Sequence, residues 1–140
     1  MYRLLLFGLL TLGYLRADAS PAEFEIGPPK IITINIEPGG RVFMGPDTIY
    51  VAGLAADLQE RLWKSWLSTG KMYESIKVNF RGEVLMGVKG AALDAIKEAQ
   101  NKTLTEVCLE KYKVVFENLS AKQKQRLKKQ FPVLFQEMHW

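Results

Sequence analysis

The chain has 140 residues, of which 48% are hydrophobic and 24% charged, with a formal net charge of +4. This length suits one domain with a sizeable core, and so small a positive charge argues against a nucleic-acid-binding protein. The single cysteine, Cys108, excludes an internal disulfide framework, so the fold must depend on its hydrophobic core.

The first nineteen residues have the three parts of a secretory signal peptide. Arg3 gives a basic start, the range 4–15 is an uncharged apolar run, and an A-x-A motif ends at Ala19. Crossing a bilayer takes about 20 apolar residues, so the run is too short for a membrane span. We therefore expect cleavage after Ala19. The alternative is an uncleaved membrane anchor, which Arg16 and the short run disfavour.

The folded domain is predicted at 30–140, after a linker at 20–29 that is rich in Pro, Gly and Ala. Isoleucines alternate with polar residues over 30–37, which predicts a strand with one buried face. The turn sequence Pro38-Gly39-Gly40 leads into a partner strand at 41–45. Pro46 is expected to end that strand, and the residues after it are expected to cap a helix.

Apolar residues at helical spacing predict a first helix over 50–68, and alternation predicts a third strand over 75–81. A long helical pattern follows from 86 to about 117. Such a helix would overhang a small sheet, so a break near Asn101 is one alternative. A capping-box pattern at 120–123 predicts a short helix that ends before Pro132.

A last short strand is predicted over 133–135, with Pro132 at its start, where a strand tolerates proline. The predicted order is therefore β-β-α-β-α-α-β. This order predicts the α+β class, with a small mixed sheet of about four strands and helices packed on one face.

This order resembles the periplasmic domain of the ExbD/TolR family. The matching segments are the hairpin ITINIEPGGRVFMG, the helix VAGLAADLQERL, the strand SIKVNF and the helix GVKGAALDAIKEAQ. The tail from 110 to 138 is similar to the longer form seen in some Bacteroidetes-type members. The resemblance covers about residues 30–138 and implies a periplasmic module that works through protein contacts.

The chain departs from the family in one respect. Members that run the proton-driven motor carry a transmembrane helix with an aspartate in it, whereas the apolar run at 4–15 contains no acidic residue. An ionisable group inside the bilayer is the feature that marks a proton path. The resemblance therefore implies the envelope module without its proton-conducting part.

Residues that could support catalysis are sparse. The only histidine, His139, is next to the C-terminus, and Cys108 lies in an apolar helical stretch typical of a buried, inert thiol. The sequence contains no nucleophile elbow, phosphate loop or zinc-protease motif. We therefore predict no enzyme activity, no catalytic residue, no metal site and no cofactor.

The strongest charge feature is the segment KQKQRLKK. Lys122, Arg126 and Lys129 fall within about 60° of one helix face, opposite Leu127 and Phe131. A solvated helix face is one interpretation. The other is an interaction face for an acidic protein, an anionic headgroup or a cell-wall polymer.

The leading hypothesis is a non-enzymatic periplasmic protein that assists a TonB- or Tol-type energised transport complex. ExbB- or TonB-like envelope proteins, or a second copy of the chain, are the expected partners, because an exposed sheet edge accepts an extended strand. The alternatives are an autonomous binder of peptidoglycan or an outer-membrane protein, and anchorage to the inner membrane by an uncleaved N-terminus. No nucleic-acid partner is expected.

Overall fold

The computed structural model describes residues 30–139, so the predicted signal peptide at 1–19 and linker at 20–29 lie outside the described residues. The strands are β1 (Ile31–Ile36), β2 (Arg41–Met44), β3 (Asp47–Tyr50) and β4 (Ser75–Phe80). The α-helices are α1 (Val51–Thr69), α2 (Met86–Tyr112) and α3 (Ala121–Gln130), and the 3-10 turns are Phe116–Asn118 and Pro132–Phe135. Within this range no helix is long and apolar enough to cross a membrane.

The four strands form one mixed sheet in the order β3-β2-β1-β4. β2 is antiparallel to both β1 and β3, whereas β4 runs parallel to β1. The connection from β3 to β4 is α1, which crosses from one edge of the sheet to the other. β3 and β4 therefore both end at the same end of the sheet, where α1 and α2 begin.

The alternation in β1 places Ile32, Ile34 and Ile36 on one buried face, as predicted. The helices cover this face with apolar residues at helical spacing. Their buried members are Leu54, Leu58 and Leu62 of α1 and Ala92, Ala95, Ile96 and Ala99 of α2. The small alanines allow α2 to approach the sheet closely. The predicted α+β class, with helices on one face of a four-stranded mixed sheet, is confirmed.

Strand β2 ends before Pro46, as predicted, but the expectation that the residues after Pro46 cap a helix is wrong, because they form β3. Gly45 and Pro46 form a two-residue hairpin loop in which Gly45 has a φ of +65°, a conformation that glycine adopts without strain. The chain after the loop pairs with β2 as β3. The Arg61 guanidinium of α1 donates hydrogen bonds to the carboxylates of Asp47 and Asp57, and so ties the start of β3 to the helix.

The predicted last strand at 133–135 is also wrong, because this segment is a 3-10 turn. Val133 and Leu134 are both buried, whereas a strand would place adjacent side chains on opposite faces. The Leu134 N–H donates to the Phe131 carbonyl at 3.0 Å, which closes the turn around Pro132. The observed order is therefore β-β-β-α-β-α-α.

Helix α2 is continuous over 27 residues, about 40 Å, without a break near Asn101. It ends at Tyr112 rather than at 117, and the next residue, Lys113, caps it with a φ of +64°. Its second half does not overhang into solvent, because both 3-10 turns pack against it. Buried Gln100 donates from Nε2 to the carbonyls of Val133 at 2.8 Å and Gln136 at 2.9 Å.

We expect the substitution Gln100→Ala to lower the free energy of unfolding by about 2 kcal/mol, because it leaves carbonyls without a donor near the core. Denaturant unfolding would measure this change. The matched control is Gln125→Ala on the exposed surface of α3, where we expect a change close to zero. Equal effects of the two substitutions would contradict the role given to Gln100.

Candidate interaction site

The two edges of the sheet differ in how much of their backbone is already paired. On β4 the alternate residues Ile76 and Val78 direct their backbone groups away from β1. The Ile76 N–H donates to Gln136 Oε1 at 2.8 Å, and Gln136 Nε2 donates to the Ile76 carbonyl at 2.8 Å. The Gln136 carboxamide thus occupies part of this edge in the way that a further strand would.

Within residues 30–139, no side chain covers the β3 edge in this way. The Glu37 N–H donates to the Arg41 carbonyl, so the backbone groups of Arg41 point toward β1. Because these groups alternate along a strand, the N–H and carbonyl groups of Val42 and Met44 point toward β3. Thr48 on β3 therefore points its N–H and carbonyl outward. Among residues 30–139 no hydrogen bond reaches either of these two groups.

The predicted basic face lies on α3 and is exposed. Its three members, Lys122, Arg126 and Lys129, form no ion pair with any part of the chain that the structure describes. The predicted capping box is confirmed, since the Ser120 hydroxyl accepts from the Gln123 N–H and the Gln123 side chain accepts from the Ser120 N–H. The helix that carries these cations is therefore well defined at its start.

The other two lysines of α3 are engaged with aromatic rings. Lys124 Nζ lies 5.2 Å from the centroid of the Phe116 ring, and Lys128 Nζ lies 5.9 Å from that of Phe135. The two rings are themselves 5.7 Å apart. These contacts fix one side of α3 against the rest of the domain, and the three predicted cations lie elsewhere on the helix.

Lys129 of the predicted set lines a groove of about 670 Å³. The groove lies between the end of α1, the start of β4 and the end of α3. Its charged lining residues are Lys71, Glu74 and Lys129, and its other lining residues are Gly70, Met72, Ser75, Gln130, Phe131 and Pro132. The structure thus separates Lys129 from Lys122 and Arg126, which stand on the open helix surface.

The two residues considered for catalysis are far from a reactive arrangement. Cys108 is buried, as predicted, and burial together with the nearby Glu117 charge raises the pKa of its thiol. His139 is exposed, with its Nε2 3.7 Å from Glu137 Oε1. Residues 30–139 contain no cluster of three His, Cys, Asp or Glu side chains that could hold a metal ion.

Sequence reasoning missed both features that distinguish the sheet edges. A signal for β3 was present, because the Gly45-Pro46 turn is followed by Thr48, Ile49 and Tyr50, residue types that favour strands. No comparable signal marks Gln136, because its role depends on the position of Ile76 sixty residues earlier.

No model of a protein family matches the chain, and no curated protein matches it in sequence.

We expect the buried thiol of Cys108 to make stability fall in alkaline solution. The unfolded chain loses this proton near the ordinary pKa of 9.0, whereas the folded chain retains it, so raising the pH above 9.0 favours unfolding. Unfolding free energies measured at pH values on both sides of 9.0 would show the decline.

Other groups also titrate in that range, so the comparison is with Cys108→Ala. This variant is less stable overall because of the cavity it creates, but we expect its alkaline decline to be smaller than that of the parent chain. Parallel declines in the two proteins would contradict the prediction.

Proposed function

We propose that this chain is a non-enzymatic binding module of the bacterial cell envelope that accepts an extended segment of a partner at the β3 edge. The resemblance to the ExbD/TolR family suggests the setting, an accessory role in a TonB- or Tol-type energised transport complex in the periplasm. The partner strand then comes from an ExbB- or TonB-like envelope protein or from a second copy of the chain.

The observation that carries this proposal is the difference between the sheet edges. A strand that joins a sheet gains main-chain hydrogen bonds from the unpaired groups of the edge strand. The outward N–H and carbonyl of Thr48 offer such groups, while Gln136 already pairs with Ile76 on the opposite edge. Among residues 30–139, an incoming strand at the β3 edge would therefore displace no existing hydrogen bond of Thr48.

The ion pairs at the start of β3 support the same assignment. Arg61 holds Asp47 next to α1, and the Val51 N–H donates to the Gly40 carbonyl at 3.0 Å just after the strand ends. Both ends of this short strand are therefore fixed before a partner arrives, which reduces the ordering cost of adding a strand.

We expect Thr48→Pro to weaken partner binding at least about tenfold, because proline lacks the outward N–H and blocks the edge. The matched control is Thr48→Ala, which changes the side chain but keeps the backbone donor. Pull-down from an envelope extract of the cells that produce the chain would measure binding to other proteins. Sedimentation of the purified chain would measure pairing with a second copy.

Circular dichroism would verify that both variants fold like the parent chain. Equal capture and equal self-association by the parent chain, Thr48→Pro and Thr48→Ala would rule out the β3 edge as the binding site.

The second candidate function is binding to peptidoglycan without a motor role. The groove beside Lys129 supports it, because the lining combines two ammonium groups with the Glu74 carboxylate. Cell-wall peptides carry both carboxylates and amino groups, so a site with both signs of charge suits them. Lys122 and Arg126 would then add attraction over a longer range.

We expect the triple substitution Lys122→Glu, Arg126→Glu and Lys129→Glu to reduce co-sedimentation with peptidoglycan several-fold, because it reverses the charge of the α3 face. The matched control reverses three other exposed lysines and changes the net charge equally: Lys77→Glu, Lys97→Glu and Lys111→Glu. Equal losses in the two triple variants would mean that the net charge of the chain, and not the α3 face, determines co-sedimentation with peptidoglycan. Unchanged sedimentation of the α3 variant would eliminate the second candidate's binding face.

A further inference from the structure

The edge of the sheet formed by β4 is covered only in part. Val78, like Ile76, points its N–H and carbonyl away from β1, because these groups alternate along the strand. Gln136 bonds Ile76, but within residues 30–139 no hydrogen bond reaches the two outward groups of Val78. We propose that the chain's own segment 22–26, AEFEI, pairs with β4 at Val78 as an antiparallel fifth strand. This inference is independent of the β3 edge and of the α3 face.

The side chains of β4 that face the helices lack complete apolar cover. In the central strand β1 the inward-facing Ile34 and Ile36 are fully buried, whereas the inward-facing Val78 of β4 is only partly buried. Phe80, at the end of β4, already has a neighbour, because Lys89 Nζ lies 5.0 Å from the centroid of its ring. An added strand with an apolar side chain beside Val78 would therefore complete the core at this edge.

The helix-free side of the same edge carries an exposed cation. Lys77 points away from the helices, because side chains alternate along β4 and its neighbour Ile76 is buried beneath them. Among the residues that the structure describes, Lys77 forms no ion pair. Arg81 on the same side already has a carboxylate partner, since its guanidinium lies 4.0 Å from that of Glu37. An acidic side chain on this side of an added strand would pair with Lys77.

The segment 22–26 has the alternation that this edge requires. It alternates apolar side chains with two carboxylates, in the order Ala22, Glu23, Phe24, Glu25 and Ile26. Backbone pairing of Phe24 with Val78 puts the phenyl ring on the helix side, because directly opposed residues of paired strands share a face. The same register sets Glu25 directly opposite Lys77. A shift by one residue would reverse both matches, so the pattern specifies the register.

The connection to β1 is long enough for this pairing. Glu25 precedes Ile31, the first residue of β1, by six residues, and an extended chain covers about 20 Å over six residues. The added strand lies two strand spacings from β1, about 10 Å across the sheet. Lys77 is level with Thr33, so the chain also returns about 7 Å along the sheet. The short tether keeps the segment at a high effective concentration beside β4.

The β3 edge is a poorer match for this segment. The side chains of β3 on the helix-free face are Thr48 and Tyr50, neither of which is a cation. Asp47, on the other face, would repel glutamates placed there. The two edges therefore suit different strands, and the pairing of 22–26 with β4 leaves β3 open.

Amide hydrogen exchange tests the pairing, because a bonded N–H at a sheet edge exchanges more slowly than a free one. The measurement follows the Val78 N–H by NMR in the isotope-labelled chain purified from the cells that produce it. We expect Phe24→Pro, which removes a backbone donor from the added strand, to speed exchange at Val78 at least about tenfold. The Thr48 N–H on the opposite edge is the internal control, and its exchange should not change.

A charge swap tests the register. We expect Lys77→Glu to speed exchange of the Val78 N–H about fivefold, because it places a like charge opposite Glu25. Adding Glu25→Lys to that variant should restore slow exchange. The matched control is Lys122→Glu, which changes the net charge equally at the exposed start of α3 and should have no effect at Val78.

Circular dichroism of each variant separates lost pairing from lost folding. Equal exchange at Val78 in the parent chain and in Phe24→Pro, or a charge swap that fails to restore slow exchange, would overturn the proposal. Restored slow exchange on mixing the two single variants, Lys77→Glu and Glu25→Lys, would assign the strand to a second copy and overturn pairing within one chain.

Discussion

The carboxamide of Gln136 accepts a hydrogen bond from the Ile76 N–H and donates one to its carbonyl, so a side chain stands where a fifth strand would pair. Gln100 in turn bonds the carbonyls of Val133 and Gln136 from the buried side of α2. These four bonds fasten the end of the described chain to both the sheet and the longest helix. The asymmetry between the two sheet edges depends on this arrangement.

The packing of the C-terminal segment against α2 also explains the length of that helix. A small sheet cannot cover a helix of 27 residues, and the half that extends beyond it needs another apolar surface. The segment after α2 supplies that surface with Leu127, Phe131 and Val133, all buried. The Phe131 ring also meets Trp66 edge-on at 5.8 Å, which joins the segment to α1. The C-terminal segment is therefore part of the core and not an appendage.

Local patterns predicted those parts of the fold that depend on local interactions. The alternation around Ile34, the capping box at Ser120 and the buried position of Cys108 follow from residues close in sequence, and all three predictions are confirmed. Two of the errors concern segments that begin at or next to a proline. Pro46 sits in a tight hairpin loop that continues the sheet, and Pro132 begins a 3-10 turn because two consecutive side chains are buried after it. Both outcomes depend on tertiary contacts.

The positions of the α3 cations could be predicted from helical spacing, but their division between a groove and an open surface could not.

The location of each cation, in the groove or on the exposed helix surface, affects how its role is interpreted. Lys129 lies in the last turn of α3, and Lys71 directly follows the Gly70 cap of α1. Both ammonium groups therefore stand at helix C-termini, where a positive charge stabilises the helix dipole whether or not a ligand binds. Lys122 stands at the opposite end of α3, where a cation is unfavourable for the dipole. The helix dipole therefore accounts for the position of Lys129 but not for that of Lys122.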